Sequence, residues 1–240
     1  MNVAIYTLTR DRLAYTKHCF ETLREKAGHP FDHFIVDNGS EDGTAEWLVK
    51  NAKDFESITR FSQNNGISEG SNQALRMIYF KEKSRGKKYD IIIKMDNDCE
   101  VVTDGILQKI VRIYETVQDF ENVPKYILSP QVRGINNQPT RVRHETILGH
   151  VIGMTAIVGG LFHVVPREVY NQYTYPLNTP KAWGQDDDFC AWARRQGHEV
   201  GYIEDLIVNH YETTNGQAQR FPAYFERKWK EEKLWNDSIQ

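Results

Sequence analysis

Long apolar stretches are missing from this sequence: nowhere do about 18 apolar residues, enough to cross a bilayer, follow one another. Export signals are missing too. Met1 leads straight into Val3, Ala4, Ile5 and Tyr6, with no basic n-region or long apolar h-region, so a cytoplasmic protein is expected. Cysteine is scarce. Cys19, Cys99 and Cys190 are odd in number and far apart, which argues against a disulfide framework or a zinc knuckle and fits a reducing compartment. Charge of one sign is also lacking. A formal net charge of -3 supplies no general field for nucleic acid or an anionic membrane, so no nucleic-acid partner is expected. The basic cluster Lys81, Lys83, Arg85, Lys87 and Lys88 is interrupted by Glu82 and reads as a solvated loop between two elements.

Hydrophobic residues at 40% and charged residues at 26% are what an ordinary globular enzyme carries. The first half alternates β-branched runs with helical periodicity, the pattern of an α/β protein with a parallel sheet covered by helices. Strands are expected at 3–8, 34–36, 58–61 and 91–93, and helices at 13–27, 44–52, 68–80 and 106–117. Ile91, Ile92 and Ile93 form the near-continuous apolar run of a strand buried on both faces, and mark the central strand. Residues 133–150 contain Gly134, Asn136, Asn137 and Pro139 without clear periodicity and read as a long loop. Beyond it, 152–158 and 161–165 are expected to be antiparallel strands around Gly159 and Gly160, with Pro166 opening a short helix. A polar turn at 183–188 leads into a helix at 189–196, followed by short strands at 200–203 and 206–208. An amphipathic helix at 221–235, rich in aromatic residues, ends the chain.

The sharpest chemical signal is Asp96-Asn97-Asp98, directly after the central strand. In open α/β sheets the ligand lies outside the carboxyl ends of the strands, so both carboxylates stand where a site is expected. Hard oxygen ligands there suit Mg2+ or Mn2+ held together with phosphate oxygens. Asp37-Asn38-Gly39-Ser40, at the end of the second strand, can place Asp37 and Asn38 against a base or ribose, or serve only as a turn and helix cap. Asn65-Gly66 through Asn72 joins the third strand to a helix whose N-terminus attracts negative charge. Neither a G-x-x-x-x-G-K-[ST] loop nor a G-x-G-x-x-G fingerprint is present there.

In order, Tyr6-Thr7-Leu8-Thr9-Arg10, Asp37-Asn38-Gly39-Ser40 with Gly43-Thr44, Asn65-Gly66 to Asn72, Asp96-x-Asp98, Gly159-Gly160-Leu161-Phe162, Trp183-Gly184-Gln185-Asp186-Asp187-Asp188 and His210 resemble the GT-A fold glycosyltransferases of family 2. The resemblance implies a Rossmann-like, mostly parallel central sheet flanked by helices, with a smaller mixed or antiparallel acceptor-side sheet. It implies one domain over 1–240: a nucleotide-sugar-binding half at 1–130, an acceptor and catalytic half at 131–220, and a C-terminal helix at 221–240.

It also implies roles. The backbone near Thr7 and Thr9, with Arg10, Asp37, Asn38, Asn65, Gly66 and Asn72, would hold the nucleotide. Asn97, Gly160 and Trp183 would complete the substrate site. Asp96 would bind ribose or metal, with Asp98 and His210 as metal ligands. The acidic pair Asp186 and Asp187 would supply the catalytic base, Asp186 foremost. The implied donor is a nucleotide diphosphate sugar, the cofactor Mn2+ or Mg2+, and the acceptor a glycan, a lipid-linked or another hydroxyl-bearing molecule, with inversion at the anomeric carbon. Gln185 stands where the family usually has Glu, and Asn38 where many members have Asp. A peripheral membrane contact through the last helix stays open at this point. So do two other readings, a sugar-nucleotide-forming nucleotidyltransferase and a non-catalytic nucleotide- or carbohydrate-binding module.

Overall fold

The computed structural model describes residues 1–118, 125–135, 138–177, 184–211 and 214–238. In the first half, β1 (Val3–Thr9), β2 (Asp32–Asp37), β3 (Ser57–Arg60) and β4 (Ile91–Met95) alternate with α1 (Leu13–Lys26), α2 (Thr44–Lys50) and α3 (Gly66–Arg85). Helical crossovers of this kind are what parallel pairing requires, and the strands do pair in parallel in the order β3-β2-β1-β4. Every residue of β4 is buried, as its apolar run demands. α3 is longer than periodicity suggests. Its last turns contain Lys81, Lys83 and Arg85, so the basic cluster is partly helical, and Lys81 and Arg85 both pair with Glu56.

The remaining strands extend the same sheet. β5 (Cys99–Val101), α4 (Ile106–Gln118), β6 (Tyr126–Arg133), β7 (Arg143–Ile147), β8 (His150–Met154) and β9 (Phe162–Pro166) come before α5 (Gln185–Arg195) and β10 (Glu199–His210). From β4 the order continues β9-β6-β10-β8-β7, with β5 also on β10. The expected antiparallel part is thus the far end of one continuous sheet.

Several sequence expectations change here. Residues 133–150 are not a single loop, because β7 and β8 form a hairpin there. β7 is an edge strand with mostly exposed or half-buried side chains, so it carries no clean apolar alternation. The two glycines at 159–160 do not close a hairpin: β8 pairs with β7 and β10, whereas β9 runs antiparallel to β4. Pro166 ends β9 rather than opening a helix. The two short strands expected at 200–208 are one, β10, whose register against β6 shifts between Ile203 and Ile207 opposite Pro130. Proline lacks the N–H a ladder needs, so the partner strand bulges there. Finally, α6 (Thr214–Arg220) precedes α7 (Pro222–Ser238). Among the described residues no helix is long and apolar enough to cross a membrane.

Candidate active site

β4 ends at the acidic turn. The Asp96 amide donates to Leu161 O at 3.0 Å and the Cys99 amide to Asp96 O at 3.2 Å, so the chain turns back immediately into β5. β5 pairs with the end of β10, Cys99 against His210, and the Tyr211 amide donates to Asp98 O at 2.8 Å. This register brings an imidazole from 112 residues later beside the turn, and His210 Nε2 lies 3.5 Å from Asp98 Oδ2. The same oxygen accepts from Arg12 Nη1 at 2.8 Å and Gln217 Nε2 at 3.2 Å. Burial pushes the Asp98 carboxyl upward, but the Arg12 guanidinium, with His210 and Gln217, outweighs it and holds the group at about 2. Arg12 adopts a left-handed backbone, φ 58, and also donates to Asn97 Oδ1 at 2.8 Å. Asn97 is buried and donates to Thr16 Oγ1 at 2.9 Å, which ties the turn to α1.

A second cluster stands on the other side of the turn. Lys94, 2% exposed, donates from Nζ to Asp96 Oδ1 at 3.0 Å and to Gly160 O at 3.0 Å. Gly160 N donates to Asp186 Oδ2 at 2.9 Å, and Asp186 Oδ1 lies 3.6 Å from Lys94 Nζ. Burial would discharge the lysine, but Asp186 and Asp96 hold its pKa above the ordinary value. Asp186, Asp187 and Asp188 lie in the first turn of α5, where the helix dipole favours negative charge, rather than in a preceding turn. Asp186 points into the cluster, while Asp187 and Asp188 are exposed.

At the ends of β1, β2 and β3 the expected nucleotide residues converge but are bonded to one another. Thr9 Oγ1 donates to Asp37 Oδ1 at 2.9 Å, and Ser40 Oγ donates to the same oxygen. Asn38 Nδ2 donates to Asn64 Oδ1 at 2.8 Å, and its Oδ1 accepts from the Asn65 amide at 2.8 Å. Gly39, with φ +77, has its missing Cβ 2.7 Å from the Gln63 carbonyl carbon, so the loops after β2 and β3 abut at backbone distance. Gly66 opens α3, and its carbonyl accepts from Asn38 at 3.3 Å. Thr7 Oγ1 pairs with His33 in the core at 3.0 Å. Asn72 binds the Tyr175 backbone, donating to its O at 2.9 Å and accepting from its N at 3.0 Å. Trp183 lies outside the described residues.

Sequence reasoning missed Lys94, Arg12, Gln217 and Glu231. Lys94 had a signal, a charged residue inside an otherwise apolar central strand. Arg12 finds its partners in the turn after β4, and Gln217 and Glu231 depend on the docking of α6 and α7, so none of the three has a local signature.

Residues 4–197 match the sequence model of Glycosyl transferase family 2, and the chain belongs to that family. It is 35% identical over 97 residues to the uncharacterized glycosyltransferase YfnE of Bacillus subtilis (strain 168), a match covering 40% of this chain and 22% of that protein. TarS of S. aureus, residues 1–349 in complex with UDP-GlcNAc, superposes with a TM-score of 0.63 at 13% identity, covering 87% of this chain and 58% of that one. The mannosyltransferase PcManGT of Pyrobaculum calidifontis, in complex with GDP-Man and Mn2+, gives 0.60 at 13% identity, covering 87% and 56%. These likenesses show a shared GT-A fold. The chain thus spans about a fifth of YfnE and less than two thirds of either solved relative.

Proposed function

We propose that this chain transfers a sugar from a nucleoside diphosphate donor to an acceptor hydroxyl, with inversion. The observation that carries the reading is the meeting, at the carboxyl end of β4, of Asp98 with His210 on one side and Asp186 with Gly160 on the other. Relatives in complex with UDP-GlcNAc and with GDP-Man support the donor class.

A divalent ion fits the residues present. Asp98 Oδ2 and His210 Nε2 are 3.5 Å apart, a spacing two ligands of one ion can share, and a carboxylate with an imidazole suits Mn2+. Among the described residues no group of three or more His, Cys, Asp or Glu gathers to hold a metal unaided, so phosphate oxygens of the donor would complete the shell. The PcManGT complex with Mn2+ supports this. When bound, such an ion supplies countercharge to the departing diphosphate. Asp98 and His210 orient the diphosphate end of the donor, and the loops after β1, β2 and β3 receive the nucleoside. Asp186 takes the proton of the attacking hydroxyl, help that is typically worth about 100- to 10,000-fold. A single displacement by that hydroxyl inverts the anomeric centre. Buried, unpaired Cys19, Cys99 and Cys190 agree with a cytoplasmic setting.

A thermal-shift screen of UDP, GDP, ADP and CDP with Mn2+ tests this reading. One base should raise the apparent stability, because a ligand that binds only the folded chain stabilises it. No shift with any of them would remove the donor site.

A further inference from the structure

Lys94 is the one charged residue in the strand Ile91–Met95, which is buried at every position. An ammonium in such a place is costly unless it is paired, so its partners show what it does there. They come from three separate parts of the chain: Asp96 in the turn, Gly160 before β9, and Asp186 on α5.

The Gly160 peptide is gripped from both sides. Its carbonyl accepts from Lys94 Nζ at 3.0 Å and its amide donates to Asp186 Oδ2 at 2.9 Å. A Cβ there would stand 2.0 Å from Lys94 Nζ and 2.5 Å from Asp186 Oδ2, so any side chain at this position would displace the two charged ends. Asp186 Oδ1 has no hydrogen-bond partner among the described residues and faces the ammonium at 3.6 Å. The cross-strand neighbour of Lys94 is His163, wholly buried, and among the described residues neither of its ring nitrogens has a hydrogen-bond partner. Burial depresses its pKa to about 4, so the imidazole is neutral and the positive charge facing Asp186 is that of Lys94.

We propose that Lys94 is the positioning residue for the base: through its bond to the Gly160 carbonyl and its charge on Asp186 it fixes where the Asp186 carboxylate sits. This inference rests on the reading of Asp186 as the proton acceptor. Lys94 acts through Asp186 and makes no bond to the reacting atoms. A carboxylate left without this anchor would rotate about χ1 and χ2 and lose the near-attack geometry that general base help needs.

The test is a double-mutant cycle on the full chain. Nucleoside diphosphate release is measured from whichever UDP- or GDP-sugar the wild type consumes, and affinity for UDP or GDP with Mn2+ is measured by calorimetry. Lys94→Met should lower kcat by about 100-fold with KM for the donor and nucleotide affinity unchanged. The pair Lys94→Met with Asp186→Asn should be no slower than Asp186→Asn alone, because the two residues act as one unit. Wild-type kcat in Lys94→Met, or losses that multiply in the double variant, would overturn the proposal while leaving the base in place. Full activity in Asp186→Asn would instead remove the base itself. If Lys94→Met does not fold, Gly160→Ala displaces the same pair without removing a charge. It should lower kcat at least about tenfold at unchanged nucleotide affinity, and undiminished kcat there would contradict the proposal.

Discussion

Glu231 of α7 takes both oxygens of its carboxylate to Arg10 at the end of β1, at 2.8 and 2.6 Å. Its Oε2 also accepts from Asn64 Nδ2 at 2.6 Å. Arg227 pairs with Asp11 and Glu41, and the Arg12 guanidinium lies 4.7 Å from the centre of the Tyr224 ring. The last helix is therefore laid across the strand ends where the nucleoside is expected, and an internal carboxylate holds the arginine that faces it.

Glu231→Gln should release Arg10 and Asn64. Affinity for UDP or GDP with Mn2+ should rise by roughly three- to tenfold, the range expected for a half-buried bidentate pair. Isothermal calorimetry reads this directly. A weaker complex in the variant would show that the helix completes the nucleotide site instead of competing for it.

The ion pair of Asp98 with Arg12 makes stability depend on pH. Asp98 titrates at about 2 in the folded chain against 3.8 for the ordinary group, so its contribution is fully present above 3.8 and is lost as pH falls through 2. Urea unfolding of the metal-free protein should show about 2 kcal/mol less stability from this group at the acid end. Asp98→Asn should remove that part of the slope. An unchanged slope in the variant would mean that Arg12 does not hold the carboxylate ionised.

How far the sequence reveals this architecture depends on where each residue's partners lie. β1, β2 and β4 announce themselves by the apolar runs Val3–Tyr6, Phe34–Val36 and Ile91–Ile93, as strands buried on both faces should. β6 is disguised by Ser129 and Pro130, and its place between β9 and β10 depends on a bulge in a strand about 70 residues later. The acidic turn is legible from its position after β4, and Asp186 from the motif around it. Asn38, Asp37 and Asn72 are polar for reasons the sequence does not distinguish from ligand binding, since each makes short bonds within the protein. Lys94 is readable only as an anomaly in its strand, because Asp186 and Gly160 are distant in the chain.

Asn72→Ala should separate those two uses of a polar side chain. The variant loses both bonds to the Tyr175 backbone and should unfold about 1–3 kcal/mol more easily in urea. Nucleotide affinity should stay near that of the wild type. A large loss of nucleotide binding at unchanged stability would return Asn72 to the donor site.

His210→Ala should reduce Mn2+ affinity, measured calorimetrically in the presence of UDP or GDP, by at least about tenfold, since even outer partners of a metal are worth that much. Excess EDTA should abolish nucleoside diphosphate release from the wild type and be reversed by added Mn2+. Mn2+ affinity equal to the wild type in His210→Ala would remove the imidazole from the metal site.

A crystal structure of the chain with Mn2+ and the nucleoside diphosphate that stabilises it tests the central claim most directly. The ion should be in direct coordination with Asp98 and His210, Arg12 should have left the Asp98 oxygen, and the terminal phosphate should face Asp186 across the end of β4. A nucleotide bound instead in the cleft lined by Leu75, Tyr79, Arg167 and Tyr170, or an ion away from Asp98, would contradict it.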